Sequence, residues 1–300
     1  MIFTLGESLL DIIITTPDDV VVRPGGAMLN TAVSLARSNV EVSLITELGD
    51  DDTSGLIISF LQSNNINTDF VHSYKSSNTS LALAFLDENK KPKYTFIKNY
   101  PELRQLSKPQ IFDGDDILLF GSLYSLDQKI RENILSIVNH AQKSKAIIIY
   151  DPNIRNAHHL KDQNMMDALK QNIELSNIIK GSDEDFTNIF GNTDAFTQIS
   201  ELRKINKEAL IIITLGADGV IADYNGRIIK LPANKTNVVS TIGAGDAFNA
   251  GLIFALNQPK FQKTSLNNFN TESIEEMLLS GLKFSAQVCN SIDNYVPNKI

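Results

Sequence analysis

The sequence predicts an α/β domain, a largely parallel sheet covered on both faces by helices, with a small β lid near the N-terminus. Three observations predict it. Apolar runs such as Ile117-Leu118-Leu119-Phe120 and Leu210-Ile211-Ile212-Ile213 are nearly continuous, as in strands buried on both faces. From Asp116 onward such runs alternate with segments of helical periodicity, the rhythm of βαβ units joined by right-handed crossovers. The β-rich segments before Asp116 do not follow that alternation, which sets them apart as a small projecting sheet.

Met1 to Gly6 reads as a buried strand ending at a glycine, and Leu9 to Thr15 and Val20 to Arg23 as short β pieces. Gly25-Gly26 breaks the chain before a helix from about Met28 to Arg37. Val42 to Thr46 is a strand and Thr53 to Gln62 a helix. Ser80 to Asp87 and Tyr94 to Lys98 form a hairpin about the polar run 88–93. With about 11–23, the segment from about 70 to 100 makes the lid of a single domain spanning 1–300. Strands at Ile117 to Phe120, Ala146 to Tyr150, Asn177 to Lys180 and Leu210 to Thr214 follow, with helices between them, the first from Gln128 to Lys143. Ala222 to Leu231 is a second small hairpin. Helices from Ala244 to Leu256 and Ser273 to Cys289, separated by a polar loop from Pro259 to Thr271, end the chain.

Composition narrows the function. The chain has 300 residues, 42% hydrophobic and 21% charged, enough for a sizeable core. Its formal charge of −8 comes without a basic run, which argues against nucleic acid as the main partner. A single cysteine, Cys289, allows no intramolecular disulfide and no cysteine-based zinc cluster. Without a basic leader or an apolar run of membrane-spanning length, the expectation is a cytoplasmic protein.

The most informative stretch is Thr241-Ile242-Gly243-Ala244-Gly245-Asp246, leading into a helix through Asn249 and Gly251. Small residues let backbone N–H groups approach an anion, and a helix N-terminus adds partial positive charge. A carboxylate beside a phosphate cradle is electrostatically awkward unless it accepts the proton of a hydroxyl attacking that phosphate. Alone, the stretch also reads as a glycine loop with an aspartate at a helix start. Three other groups sit at strand ends, where open α/β sheets bind ligands: Glu7 and Asp11 after the first strand, Asp151-Pro152-Asn153-Ile154-Arg155, and Thr214-Leu215-Gly216-Ala217-Asp218-Gly219. Gly25-Gly26 followed by Asn30 places a polar side chain on the first turn of a helix.

In this order the motifs resemble the PfkB, or ribokinase-like, family of carbohydrate kinases, over essentially the whole chain. Gly25-Gly26…Asn30 resembles the family's N-terminal signature and Thr241 to Gly251 its C-terminal one. The resemblance implies a three-layer αβα Rossmann-like core with a β lid, and transfer of the γ-phosphate of ATP to a primary hydroxyl of a sugar or nucleoside. It implies Asp246 as base, with the N–H groups of Gly243, Ala244 and Gly245 as the anion hole. Asp11, Gly25, Gly26 and Asn30 would hold the sugar, and Arg155 would face the sugar or the phosphates. Thr214, Gly216, Gly219 and Asn249 would lie on the nucleotide side. Mg²⁺ would ride on the ATP phosphates, with Asp185 reaching its water shell. Lid pairing would give a homodimer, since the alternation Leu81, Leu83, Phe85 leaves an apolar face to cover. Phe96 either touches the sugar or packs under the lid.

Gly6-Glu7-Ser8-Leu9-Leu10-Asp11 and Asp151 to Arg155 resemble the fructokinase and 2-keto-3-deoxygluconate kinase branch, so fructose is the first expected acceptor. Other keto-sugars, aldopentoses and, lacking an obvious aromatic sandwich, nucleosides come after it. A non-catalytic sensor would not need Asp246, and a nicotinamide enzyme would need the Gly-x-Gly-x-x-Gly opening that this chain lacks. The chain departs from the family pattern in three places. Ser240 stands where an aspartate is usual, and Asp293-Asn294 where a Gly-Ala pair is common. Both bear on the loop that binds K⁺ in many members, so weak or altered K⁺ dependence is expected. Ser182 and Asp185 replace the usual Asn-x-x-Glu, and Ser182 also reads as a helix N-cap.

Overall fold

The computed structural model describes residues 1–86, 92–155, 160, 162–261 and 269–297. The parts of the hairpin turn and of the polar loop at 87–91 and 262–268 lie outside the described residues. The main sheet has nine strands: β1 (Ile2–Leu5), β4 (Val42–Gly49), β5 (Val71–Tyr74), β8 (Ile117–Gly121), β9 (Ile147–Asp151), β10 (Ile178–Ser182), β11 (Leu210–Thr214), β12 (Val220–Tyr224) and β13 (Arg227–Leu231). Their spatial order is β13-β12-β11-β10-β9-β8-β1-β4-β5. From β5 to β11 the neighbours are parallel, and the hairpin β12–β13 extends the sheet with antiparallel strands. The chain leaves β1 toward β4 and β5, then returns to build β8 onward on the other side. That reversal is the switch point beside which open α/β sheets bind ligands.

The period of two along each strand divides the core into two layers. Ile117 and Leu119 pack on one side with helices α1 (Ala27–Arg37), α2 (Asp52–Ser63), α7 (Ala244–Leu256) and α8 (Thr271–Cys289). Leu118 and Phe120 pack on the other with α3 (Arg131–Lys143), α4 (Gln163–Leu175), α5 (Asp183–Phe190) and α6 (Ala195–Ile205). The three-layer αβα expectation is therefore met.

The lid is a four-stranded sheet in the order β3-β2-β6-β7, from β2 (Leu9–Thr16), β3 (Asp19–Gly25), β6 (Leu81–Leu86) and β7 (Pro92–Ile97). Val71–Tyr74, inside the expected lid range, pairs instead with β4 at the edge of the main sheet. Register gives the lid two unlike faces. Asp11 lies opposite Ala82, and Ala82 opposite Phe96, so these share one face. Ile12 and Ile14 share the other with Val20, Val22, Leu83 and Phe85. On that second face Val20, Val22 and Phe85 are exposed.

Candidate active site

Helix α1 begins immediately after lid strand β3, so the lid and the first turn of α1 are one continuous piece of chain. Gly26, the residue before α1, has φ of 126°, and a Cβ there would lie 2.2 Å from the Glu7 carbonyl oxygen. Only glycine passes this point without strain. Gly25 leaves the space that the Asp11 carboxylate occupies, since a Cβ there would lie 2.0 Å from its Oδ2. Asn30 then points from the first turn of α1 into the interior and is buried.

Helix α7 brings the second half. Gly243 precedes it in the left-handed region, with φ of 81°. A Cβ on Gly243 would meet the Asn294 carbonyl oxygen at 2.1 Å, so the C-terminal segment packs directly on this turn. The Ala244 N–H donates to the Thr241 carbonyl at 3.2 Å, whereas the N–H groups of Gly243 and Gly245 have no backbone acceptor among the described residues. Of the expected anion-hole donors, those two are therefore open and Ala244 is engaged in the turn.

The Asp246 carboxylate lies inside that first turn, 5% exposed. Asn30 Nδ2 donates to its Oδ2 at 2.9 Å, and Thr31 Oγ1 donates to its backbone carbonyl at 3.0 Å. Two motifs 216 residues apart in sequence are thereby joined by one hydrogen bond. Burial pushes the Asp246 pKa up to about 6; Asp151 adds to the rise, and the Asn30 amide, Arg155 and Lys180 oppose it. Burial likewise raises Asp11 to about 6, against the pull of Arg155. Arg155 is exposed, with Nε donating to Asn153 Oδ1 at 3.3 Å, and its charge acts on both carboxylates. Asp11, Asn30, Arg155 and Asp246, all expected from sequence, therefore belong to one electrostatic neighbourhood. Tyr94 stands in the same field, its phenol raised by burial and by Asp11.

Beneath Asp246 lies a group that the sequence reading left without a role. Lys180 is buried on β10, and its ammonium donates to Asp151 Oδ2 at 2.9 Å and to the Gly245 carbonyl at 3.2 Å. Burial pulls its pKa down, but Asp151 prevails and holds it above the ordinary value. Asn249, expected on the nucleotide side, is fully buried on α7 and donates its amide to the same Asp151 oxygen at 2.6 Å. Its second-turn position aims it down at the sheet. A lysine within the otherwise apolar strand Ile178-Ile179-Lys180 was the available signal, because a buried ammonium requires an acid partner.

The remaining predicted residues lie at neighbouring strand ends. Thr214 closes β11, with Oγ1 3.4 Å from the Gly181 carbonyl, and Gly216 and Gly219 bracket the 3₁₀ turn that follows. Asp185 forms a capping box with Ser182, its Oδ2 accepting from the Ser182 N–H at 2.8 Å and Oγ at 2.7 Å. Burial and the Asp151 charge raise its pKa, while the Ser182 bonds oppose them. Glu7 ties down the chain leaving the lid, accepting from Tyr100 at 2.6 Å and pairing with Lys98 at 2.7 Å. Phe96 is exposed on the Asp11 face, stacked on Tyr94 with centroids 5.8 Å apart and planes at 12°.

The described residues contain no group of three or more His, Cys, Asp or Glu arranged to hold a metal ion. Asp293 is paired with Arg23 at 3.3 Å, the same guanidinium donates to the Ile292 carbonyl at 2.7 Å, and Ser240 Oγ accepts from the Ile242 N–H at 3.2 Å. Asp293 and Ser240 are the acid and the hydroxyl at two of the departures from the family pattern. No helix among the described residues is long and apolar enough to cross a membrane.

The family described as pfkB family carbohydrate kinase matches residues 1–299. A fructokinase of Klebsiella pneumoniae is 27% identical over 258 residues, covering 85% of this chain and 84% of the relative. An aminoimidazole riboside kinase of Salmonella typhimurium is 25% identical, covering 86% and 81%. Among solved structures, fructokinase from Vibrio cholerae O395 in its fructose, ADP and calcium ion bound form superposes with a TM-score of 0.85 at 20% identity, covering 98% of this chain and 94% of the other.

Proposed function

The chain belongs to the pfkB family of carbohydrate kinases and is a phosphotransferase with an alcohol group as acceptor, and on that premise we propose that it transfers the γ-phosphate of ATP to a primary hydroxyl of fructose, with Asp246 as general base. The observation that carries this reading is the Asn30–Asp246 hydrogen bond, which joins the two signature segments at the N-terminus of α7. The acceptor hydroxyl donates to the Asp246 carboxylate. As its oxygen bonds to the γ-phosphorus, the bond to the β-bridging oxygen breaks, Asp246 takes the proton and ADP leaves. A base with a pKa of about 6 is mostly ionised at neutral pH while keeping useful basicity.

The open N–H groups of Gly243 and Gly245 receive charge on the transferring group, helped by the end of the α7 dipole. Asp11 and Asn30 hold sugar hydroxyls, Gly25 and Gly26 leave them room, and Arg155 lies across sugar and phosphate. Thr214, Gly216 and Gly219 border the nucleotide. Asp185 would hold the water shell of Mg²⁺, and the ion would supply positive charge to the phosphates. Asn249 acts in this reading through Asp151, to which its amide donates. Two lids pair through Val20, Val22 and Phe85 in a homodimer, which light scattering would reveal and Phe85→Asp would split.

Fructose is supported by the fructokinases among the relatives. A second reading, a riboside acceptor, is favoured by the exposed Tyr94–Phe96 stack on the Asp11 face, an aromatic platform for a heterocycle. ADP release from Mg·ATP with fructose, 2-keto-3-deoxygluconate, ribose and an aminoimidazole riboside decides between them. Turnover on fructose at least tenfold above the others supports the first reading, and preference for the riboside replaces it with the second. ATP binding without turnover on any acceptor would favour a sensor.

A further inference from the structure

The Lys180–Asp151–Asn249 group performs no step in the transfer, yet it consists of three buried polar residues drawn from β10, β9 and α7. Core packing does not require it, because an apolar trio would fill the same space without the cost of burying two charges. Its connections are specific. Asp151 Oδ2 receives both Lys180 at 2.9 Å and Asn249 at 2.6 Å, and its Oδ1 accepts from the Asn153 N–H at 3.2 Å. The carboxylate is thus held on both oxygens. The outward contact of the group is the second bond of the ammonium, to the Gly245 carbonyl.

That carbonyl belongs to the peptide linking Gly245 to Asp246. A peptide is planar and trans, so fixing its C=O fixes the opposed N–H of Asp246 as well. On the far side of the turn, Asn30 holds the Asp246 carboxylate and Thr31 its carbonyl. The first turn of α7 is therefore gripped from α1 above and from β10 below.

We propose that Lys180 is a positioning residue for phosphoryl transfer, its Asp151-held ammonium fixing the Gly245–Asp246 peptide at the mouth of α7 and balancing the charge under the base. This rests on the reading of Asp246 as general base. The groups facing Asp246 are Asn30 and Thr31 from α1, Asp151 from β9, Arg155 just beyond it, and Lys180 from β10. Of the two charges beneath it, Lys180 favours the ionised base and Asp151 disfavours it. Removing either one alone must move Asp246 in opposite directions, and removing both must nearly restore it.

The test is the titration of Asp246 by NMR of protein labelled with ¹³C-aspartate, the resonance assigned by its loss in D246N. Expected is a fall in the Asp246 pKa of about half a unit or more in D151N, a smaller rise in K180M, and a value nearer the parent's in the K180M/D151N double variant. The double variant leaves neither charge of the pair buried without its partner and serves where K180M does not fold. In that variant kcat for phosphorylation of the acceptor found by the ADP-release panel should fall about tenfold or more with KM little changed, because the peptide loses its donor. An Asp246 pKa unmoved in D151N, or moving the same way in both single variants, overturns the charge role. Full kcat in the double variant overturns the positioning role. Near-full turnover in D246N instead removes Asp246 as base, a separate failure that leaves the NMR result standing.

Discussion

Substituting Asp246 should make the protein more stable while removing its activity. The carboxyl has a pKa of about 6 in the folded chain against an ordinary value of 3.8, because it is buried. A raised pKa means that the folded state binds the proton more tightly than the unfolded state. Ionisation at neutral pH therefore works against the fold. The difference of about 2 pKa units corresponds to about 3 kcal/mol at 1.36 kcal/mol per unit. Asp246→Asn has no charge to bury, and its side-chain oxygen still accepts from Asn30. The variant should thus gain up to ~3 kcal/mol above pH 6, the gain shrinking as pH falls from about 6 toward 3.8 and vanishing below it. For a chain of this size that is a rise in Tm of about 5 °C at pH 7. Thermal melts of both proteins at pH 7, 5.5 and 4 measure it, beside the loss of turnover. A pH-independent difference in Tm, or a variant less stable than the parent at pH 7, would refute the idea that burial of this carboxylate opposes folding.

Three further outcomes are expected. Gly26→Ala should cost roughly 3 kcal/mol or more in urea unfolding, because the new Cβ meets the Glu7 carbonyl oxygen at 2.2 Å in a backbone conformation that alanine resists. Replacing K⁺ by tetramethylammonium at equal ionic strength should change kcat less than twofold, since Arg23 already occupies Asp293 and the Ile292 carbonyl; a many-fold fall would contradict this. Arg104→Met should lower stability by about 3–5 kcal/mol in the same urea assay, because it leaves Glu47, 1% exposed, without its cation, and a loss under 1 kcal/mol would mean the pair is dispensable.

Much of the fold was legible because strands buried on both faces have an unmistakable composition. Ile117 to Phe120 and Leu210 to Thr214 could hardly be surface, and the helices between them followed from period and length. The glycines before α1 and α7 were legible for a related reason, since they mark places where a side chain cannot pass. The edge strand Val71–Tyr74 was not. It is four residues long and half-buried, and it holds its place by pairing with β4. Its sequence, Val-His-Ser-Tyr, has no pattern that separates it from a loop. Strand β4 runs on through Glu47 to Gly49, past the expected end at Thr46, because Arg104, Tyr74 and Tyr124 arrive from distant segments to satisfy that carboxylate.

The same reasoning separates the two kinds of site residue. Asp246, Asn30 and Asp11 stand in short motifs whose spacing is itself a signal; Asn30 donates to Asp246, and Asp11 shares with Asp246 the field of Arg155. Lys180, Asp151 and Asn249 gain their meaning from one another. Asn249 follows the glycine turn by one helical turn, which suggested a ligand contact, but the direction of its side chain depends on where β9 runs beneath α7. Sequence spacing along a helix gives the face, and only the packing of that face gives the partner. A charged residue inside an apolar strand is the exception that can be read in advance. Lys180 and Glu47 are each surrounded by residues that belong in a core, and each is matched by an opposite charge from another element. Such residues are costly in any strand that has no use for them. The Glu47 pair joins the main sheet to the chain returning from the lid, and the Lys180 pair reaches the turn that carries Asp246.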